Sequence, residues 1–239
     1  MAPAPPGTLM LTFSATAGTE PVVPVTGVYH NGGNEAFSLH AFDFFISNFR
    51  LYTTAGKEVV LPKDSSYFLL RLLNGDSAVR LNNLPAGDYT GIGFLLGIDS
   101  LKNAAPLEQR TGVLDPAGAA AGMYWTWNSG YIFLKLEGTS IAAATPGNQF
   151  VYHIGGFGGY HTPTINNLKT ISIQVPAGGS FRIGAHTTTQ LYLGADVLKI
   201  FDGVQPLRIA QNPTVMFSPA SVAIANNYQH LFTLQSIRN

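Results

Sequence analysis

The chain holds two tryptophans, Trp125 and Trp127, two residues apart in the segment GMYWTWNSGYIFLKLEG, Gly122 to Gly138. On a strand that spacing puts both rings on one face. Three chemistries are open to such a pair. Turned inward, the rings are core packing. Turned outward, they form a flat platform for a sugar. The third chemistry is oxidative. An intact indole offers only an N–H donor and is not an ordinary metal ligand. Opening its pyrrole ring gives kynurenine, whose aryl amine and ketone oxygen can both donate to a metal.

Six histidines are present, at positions 30, 40, 153, 161, 186 and 230, and no pair has an HxH or HExxH spacing. His153 stands out because it interrupts the apolar strand FVYHI and glycines follow at once. A polar ring there needs a hydrogen bond or a metal. The plain alternative is a satisfied core histidine. His40 lies in FSLHAFDFF. Strict alternation gives it Ser38, Phe42 and Phe44 as face-mates and sends Leu39, Ala41 and Asp43 to the other face. A half-exposed strand histidine is its plain reading.

Other chemistries lack their signatures. There is no cysteine, so disulfides, thiol nucleophiles, blue-copper sites and thiolate zinc sites are excluded. GIGFLLG does not precede a helix as a dinucleotide loop must, and GGFGG lacks the Lys-Ser/Thr of a phosphate loop. No nucleophile elbow occurs. Thirteen basic and thirteen acidic residues cancel, with no basic stripe, which argues against nucleic acid. Charged residues are only 11% of the chain while 46% are hydrophobic, a balance that suits an exported β domain.

The elements that must position these residues are short and strand-like. TLMLTF, FSLHAFDFFISNFRLYT, KEVVL, YFLLRL, LPAGDYTGIGFLLGID, FVYHIGG, LKTISIQV and TTTQLYLG all read as strands bounded by turns. In YIFLKLE, Tyr131, Phe133, Lys135 and Glu137 share one face and Ile132, Leu134 and Leu136 the other. Residues 100–122 show no sustained period and read as a long functional loop. ADVLKIFDG and SPASVAIANNYQHLF read as two short helices near the C-terminus. The expectation is all-β: an antiparallel β-sandwich, immunoglobulin-like or Greek-key, with one or two short helices. Residues 1–7 are expected to be a flexible segment and 8–239 a single domain. The opening MAPAPPGTLM has no apolar signal region, and Met1 is read as standing behind a removed export signal.

Several phrases together resemble the MbnP family, copper-binding proteins associated with methanobactin operons. They are FDFFISNFRL, LPAGDYTGIGFLLGIDSLKN, GMYWTWNSGYIFLKLEG and FVYHIGG, with ADVLKIFDG and IANNYQHLF toward the end. The resemblance implies an extracytoplasmic β-sandwich, periplasmic or at the cell surface, that binds a copper ion. It implies that Trp125 or Trp127 is converted to kynurenine by a partner dihaem enzyme of the MauG-like type. It nominates His153 and then His40 as ligands, with Asp99, Asn103 and Glu137 as the supporting shell. Membrane association would come only through a lipid anchor, for which this sequence has no cysteine. The chain itself is expected to be no enzyme, although it can be an enzyme's substrate. The alternatives are a structural surface domain with both rings in the core and a glycan-binding sandwich.

Overall fold

A computed structural model describes residues 4–127 and 130–238. In chain order the strands are β1 (Gly7–Ala17), β2 (Glu20–Pro21), β3 (Tyr29–His30), β4 (Ala36–Thr53), β5 (Glu58–Val60), β6 (Tyr67–Arg71), β7 (Ala78–Leu84), β8 (Gly87–Leu96), β9 (Tyr124–Trp125), β10 (Gly130–Thr139), β11 (Gln149–Gly155), β12 (Lys169–Gln174), β13 (Phe181–Ile183), β14 (Thr188–Asp196), β15 (Thr214–Val215) and β16 (Phe232–Arg238). Helices α1 (Ser100–Ala104), α2 (Leu198–Phe201) and α3 (Pro219–Tyr228) are short.

The strands form the two layers of a sandwich. The smaller sheet runs β16-β14-β1-β2, with β7 also on β1. The larger has the spine β12-β8-β4-β10-β11-β15. Alternation explains the core. Leu9, Leu11 and Phe13 of β1 point inward and are buried. Phe13 meets Phe44, Phe94 and Phe232 edge-on, with centroids 6.0, 6.4 and 5.7 Å away. Aromatic edges against faces join residues of both sheets here. Most pairings are antiparallel as expected. Two are parallel, β1 with β14 and β11 with β15.

The helices differ from expectation in detail. The four residues of α2 are all that is helical in ADVLKIFDG, because Ala195 and Asp196 still belong to β14. In α3, Ser218 stands at the N-cap with Pro219 in the first turn. That helix stops at Tyr228, and Phe232 already opens β16. The third helix, α1, lies in the stretch expected to be loop. Asp99 starts it, its Oδ1 accepting from the backbone N–H of Leu101 at 3.1 Å and of Lys102 at 3.3 Å.

Candidate functional site

Strand β10 carries the site's centre, and its alternation is as the sequence predicts. Ile132, Leu134 and Leu136 face the core, while Lys135 and Glu137 face outward and are half-buried. Its neighbours are β4 on one side and β11 on the other. The register sets Lys135 opposite both Asp43 and His153. Glu137 lies diagonal to His153 across the strand pair, within reach of a long side chain. His153 Nε2 and Glu137 Oε1 are 2.7 Å apart.

His40 reaches the same face for a reason that alternation misses. Gly138 pairs with Leu39 and Glu137 with Ala41, so His40 is an extra residue in β4. This is a β-bulge, and it shifts the pleat by one. Beyond it Phe42 and Phe44 are core residues, and Asp43 sits across from Lys135. The face-mates expected for His40, Phe42 and Phe44, are therefore on the opposite side. Its Nδ1 lies 4.0 Å from Glu137 Oε2. Among the described residues, His40 and His153 are the histidines that come within 4.0 Å of a carboxylate, and both approach Glu137.

The two carboxylates of this face are tuned in opposite directions. The hydrogen bond from His153 holds the Glu137 carboxyl below its ordinary value, against the effect of burial and with help from Lys135, whose Nζ is 3.5 Å from Oε1. Burial pushes Asp43 up to about 6 from 3.8. Arg71 and Lys135 oppose that rise, but Arg71 Nε stands 3.8 Å from Oδ2, too far for a hydrogen bond. Glu137 is therefore an ionised acceptor at neutral pH, and His153 donates its Nε2 proton to it. His153 Nδ1 has no partner among the described residues. A neutral imidazole oriented this way presents the Nδ1 lone pair.

The tryptophans do not lie side by side on one strand. Trp125 ends β9 and pairs with Gly130, and the chain turns at Thr126 and Trp127. The turn breaks the alternation that the spacing predicted. Asn128 and Ser129 of the same phrase lie outside the described residues. The rings still touch, with centroids 5.2 Å apart and planes at 38°. Their environments differ sharply: Trp125 is 5% exposed and Trp127 is 63% exposed. The Trp125 Nε1 is buried without a hydrogen-bond partner.

Trp125 packs on the strand that carries His153. A Cβ built on Gly155 would lie 2.7 Å from Trp125 Cζ3 and 2.4 Å from the Tyr131 carbonyl oxygen. Only the bare glycine lets the indole come this close. Gly155 is two residues beyond His153, so both face outward, roughly 7 Å apart along β11.

The segment before the tryptophans buttresses them. Asn103 is fully buried; it donates to the Ile98 carbonyl and accepts from the Tyr131 N–H at 3.2 Å. Asp99 accepts from the Tyr67 hydroxyl at 2.5 Å besides starting α1. These two residues hold the approach to β10, whereas Glu137 is the one of the three expected supporting residues in contact with His153. Arg110, which the sequence did not single out, donates to the carbonyls of Asn103 and Ala105. It also stacks on Tyr124 and Tyr131 at 4.9 and 5.3 Å. Nothing but a lone arginine in a weakly charged loop marked it in the sequence.

No group of three or more His, Asp or Glu side chains among the described residues is already arranged to hold a metal ion. The chain matches the family model described as MbnP over residues 6–217. Among solved structures it is similar to MbnP from Methylosinus trichosporium, with 17% identity and a TM-score of 0.59, over 90% of this chain and 82% of that one. That likeness shows a shared fold. No curated protein matches the chain.

Proposed function

The chain belongs to the MbnP family, and on that premise we propose that it is an extracytoplasmic copper-binding protein whose site is completed by oxidation of Trp125 to kynurenine. One observation carries the reading. His153, fixed by Glu137 with its Nδ1 turned free, shares a sheet face with an indole whose buried N–H has no acceptor.

The residues present fit a copper ion. Imidazole nitrogens suit copper, and a histidine that gives its other N–H to a carboxylate is a common metal-ligand arrangement. His153 would be the first ligand and His40, 4.0 Å from the same Glu137, the second. The bulge in β4 brings His40 to this face. The missing third donor is the reason for the oxidation. Copper, once bound, would supply a soft cationic centre; everything else is the work of these side chains.

The oxidation balances with peroxide as the oxidant. Two equivalents cleave the C2–C3 bond of the indole, insert one oxygen at each carbon and leave two waters, giving N-formylkynurenine. Hydrolysis then releases formate and frees the aryl amine. A MauG-like dihaem enzyme is the partner of this reading, and the periplasm or cell surface its place. The exposed Trp127 ring, in contact with Trp125, gives such a partner a surface to approach. Burial of Trp125 speaks against a paired sugar platform, and exposure of Trp127 speaks against a purely structural pair.

The test is to produce the protein with a dihaem enzyme of this class and peroxide, and to locate the change by tandem mass spectrometry. Residue 125 should gain one oxygen and lose one carbon, copper should bind only afterwards, and His153→Ala should abolish that binding. Two unmodified tryptophans with no copper bound, or modification confined to Trp127, would overturn the proposal.

A further inference from the structure

Away from the tryptophans the two sheets splay apart. The edge of the larger sheet there is β5, the turn Lys63–Ser65 that follows it, and β6. The facing edge of the smaller sheet is β7, which slips register against β1 near its end and bends at Asn83, φ 58°. Between them lies a cavity of about 570 Å³. Drug-sized ligands occupy cavities of this order, roughly 300–1,000 Å³.

Its floor is apolar. Leu61, Leu81 and Leu84 are nearly fully buried and Phe68 partly so. Its mouth carries one charge, Arg80, and no acidic side chain lines it. The Arg80 Nε donates to Asn82 Oδ1 at 3.0 Å, which fixes the guanidinium at the rim. Arg50, Arg71, Arg182 and Arg208 each stand within 3.8 Å of a carboxylate. Arg80 has no such partner among the described residues. The nearest acids in sequence are engaged elsewhere: Glu58 with Arg50 at 3.6 Å and Asp64 with Lys102 at 3.6 Å.

We propose that this cavity binds a small anionic amphiphile, a monocarboxylic acid with an unbranched apolar body, whose carboxylate meets Arg80 while its chain covers the leucine floor. An apolar slot with a single unpaired guanidinium at its mouth is complementary to that shape and charge. The site is independent of the tryptophans and of any metal.

Decanoate and the uncharged decanol, both below their aggregation limits, are titrated into the full chain and followed by amide chemical shifts. Decanoate should bind saturably, with shifts centred on residues 59–65 and 80–85. Arg80→Gln should weaken decanoate about fivefold, the scale of one exposed ion pair, and leave decanol unchanged. Val60→Glu, at a position 66% exposed and so tolerant of charge, should exclude decanoate without altering the fold. Absence of saturable binding, shifts centred elsewhere, or equal decanoate affinity in the native, Arg80→Gln and Val60→Glu proteins would each overturn the proposal.

Discussion

Replacing Asp43 by asparagine should change how stability depends on pH, and the size of the change follows from the site. Asp43 faces Lys135 across β4 and β10, is largely buried, and has its carboxyl raised from 3.8 to about 6. A raised folded value means that the folded chain holds the proton more tightly than the unfolded one. The group's contribution is therefore fully present below about pH 4 and is lost as pH rises through about 6. A rise of this size is worth about 3 kcal/mol, at about 1.4 kcal/mol for each pH unit. Asparagine cannot ionise, so the variant loses this dependence and keeps every other group. The assay is urea unfolding of both proteins at several pH values from 3.5 to 7.5. The native protein should lose about 3 kcal/mol relative to Asp43→Asn between the two limits. A difference that stays flat across that range, or one of opposite slope, would show that Arg71 and Lys135 outweigh burial and that the reasoning is wrong.

Two further outcomes test the geometry. Glu137→Gln should weaken copper binding by the oxidised protein about 10–100-fold, because the ring of His153 loses the carboxylate that fixes its tautomer. Copper titration of the two proteins decides it, and equal affinities would remove Glu137 from the site. The same carboxylate, held below its ordinary value, contributes stability above pH 4.5 that is lost as pH falls through its lower folded value. Gly155→Ala should push the indole of Trp125 off β11, since the new Cβ meets the Tyr131 carbonyl at 2.4 Å as well as the ring. About 1–3 kcal/mol of stability should go with it. A red shift of tryptophan emission with a lower unfolding midpoint is the expected signal, and an unchanged spectrum counts against the packing described.

Much of this was legible in the sequence, and the parts that were not have physical reasons. YIFLKLEG shows its two faces because period-two alternation of large apolar and charged residues leaves no other register. The match of Glu137 to the His153 strand needed the fold, since nothing local joins residues 16 apart. The bulge at His40 leaves no mark: neither glycine nor proline sits there, and one inserted residue inverts every face assignment after it. Strand β7, AVRLNNL, alternates weakly, with Val79, Leu81 and Leu84 buried among exposed arginine and asparagines. Helix α1 is five residues long, too short for a helical period to emerge. The contact between the two indoles came from a turn, where the sequence spacing suggested a strand.

The half-buried condition of the site follows from the segment that covers it. The outward face of a sandwich sheet is ordinarily wet. Here residues 97–123 lie over the end of β10 where Tyr131 and Phe133 emerge, and both are buried outward-facing residues. Arg71 ties that segment down, donating to the carbonyls of Ala119 and Ala121. Its edge falls across Lys135, Glu137, His153 and Asp43, whose side chains are 19, 22, 16 and 12% exposed. Removal from water strengthens each charge interaction there and penalises each charge without a direct partner. That one condition accounts for both carboxylates: Glu137 receives a hydrogen bond at 2.7 Å and is held ionised, whereas Asp43 has its nearest cation at 3.8 Å and is pushed toward its protonated form. The strands bring the side chains of GMYWTWNSGYIFLKLEG and its neighbours together, and the loop before it sets the chemistry they can do.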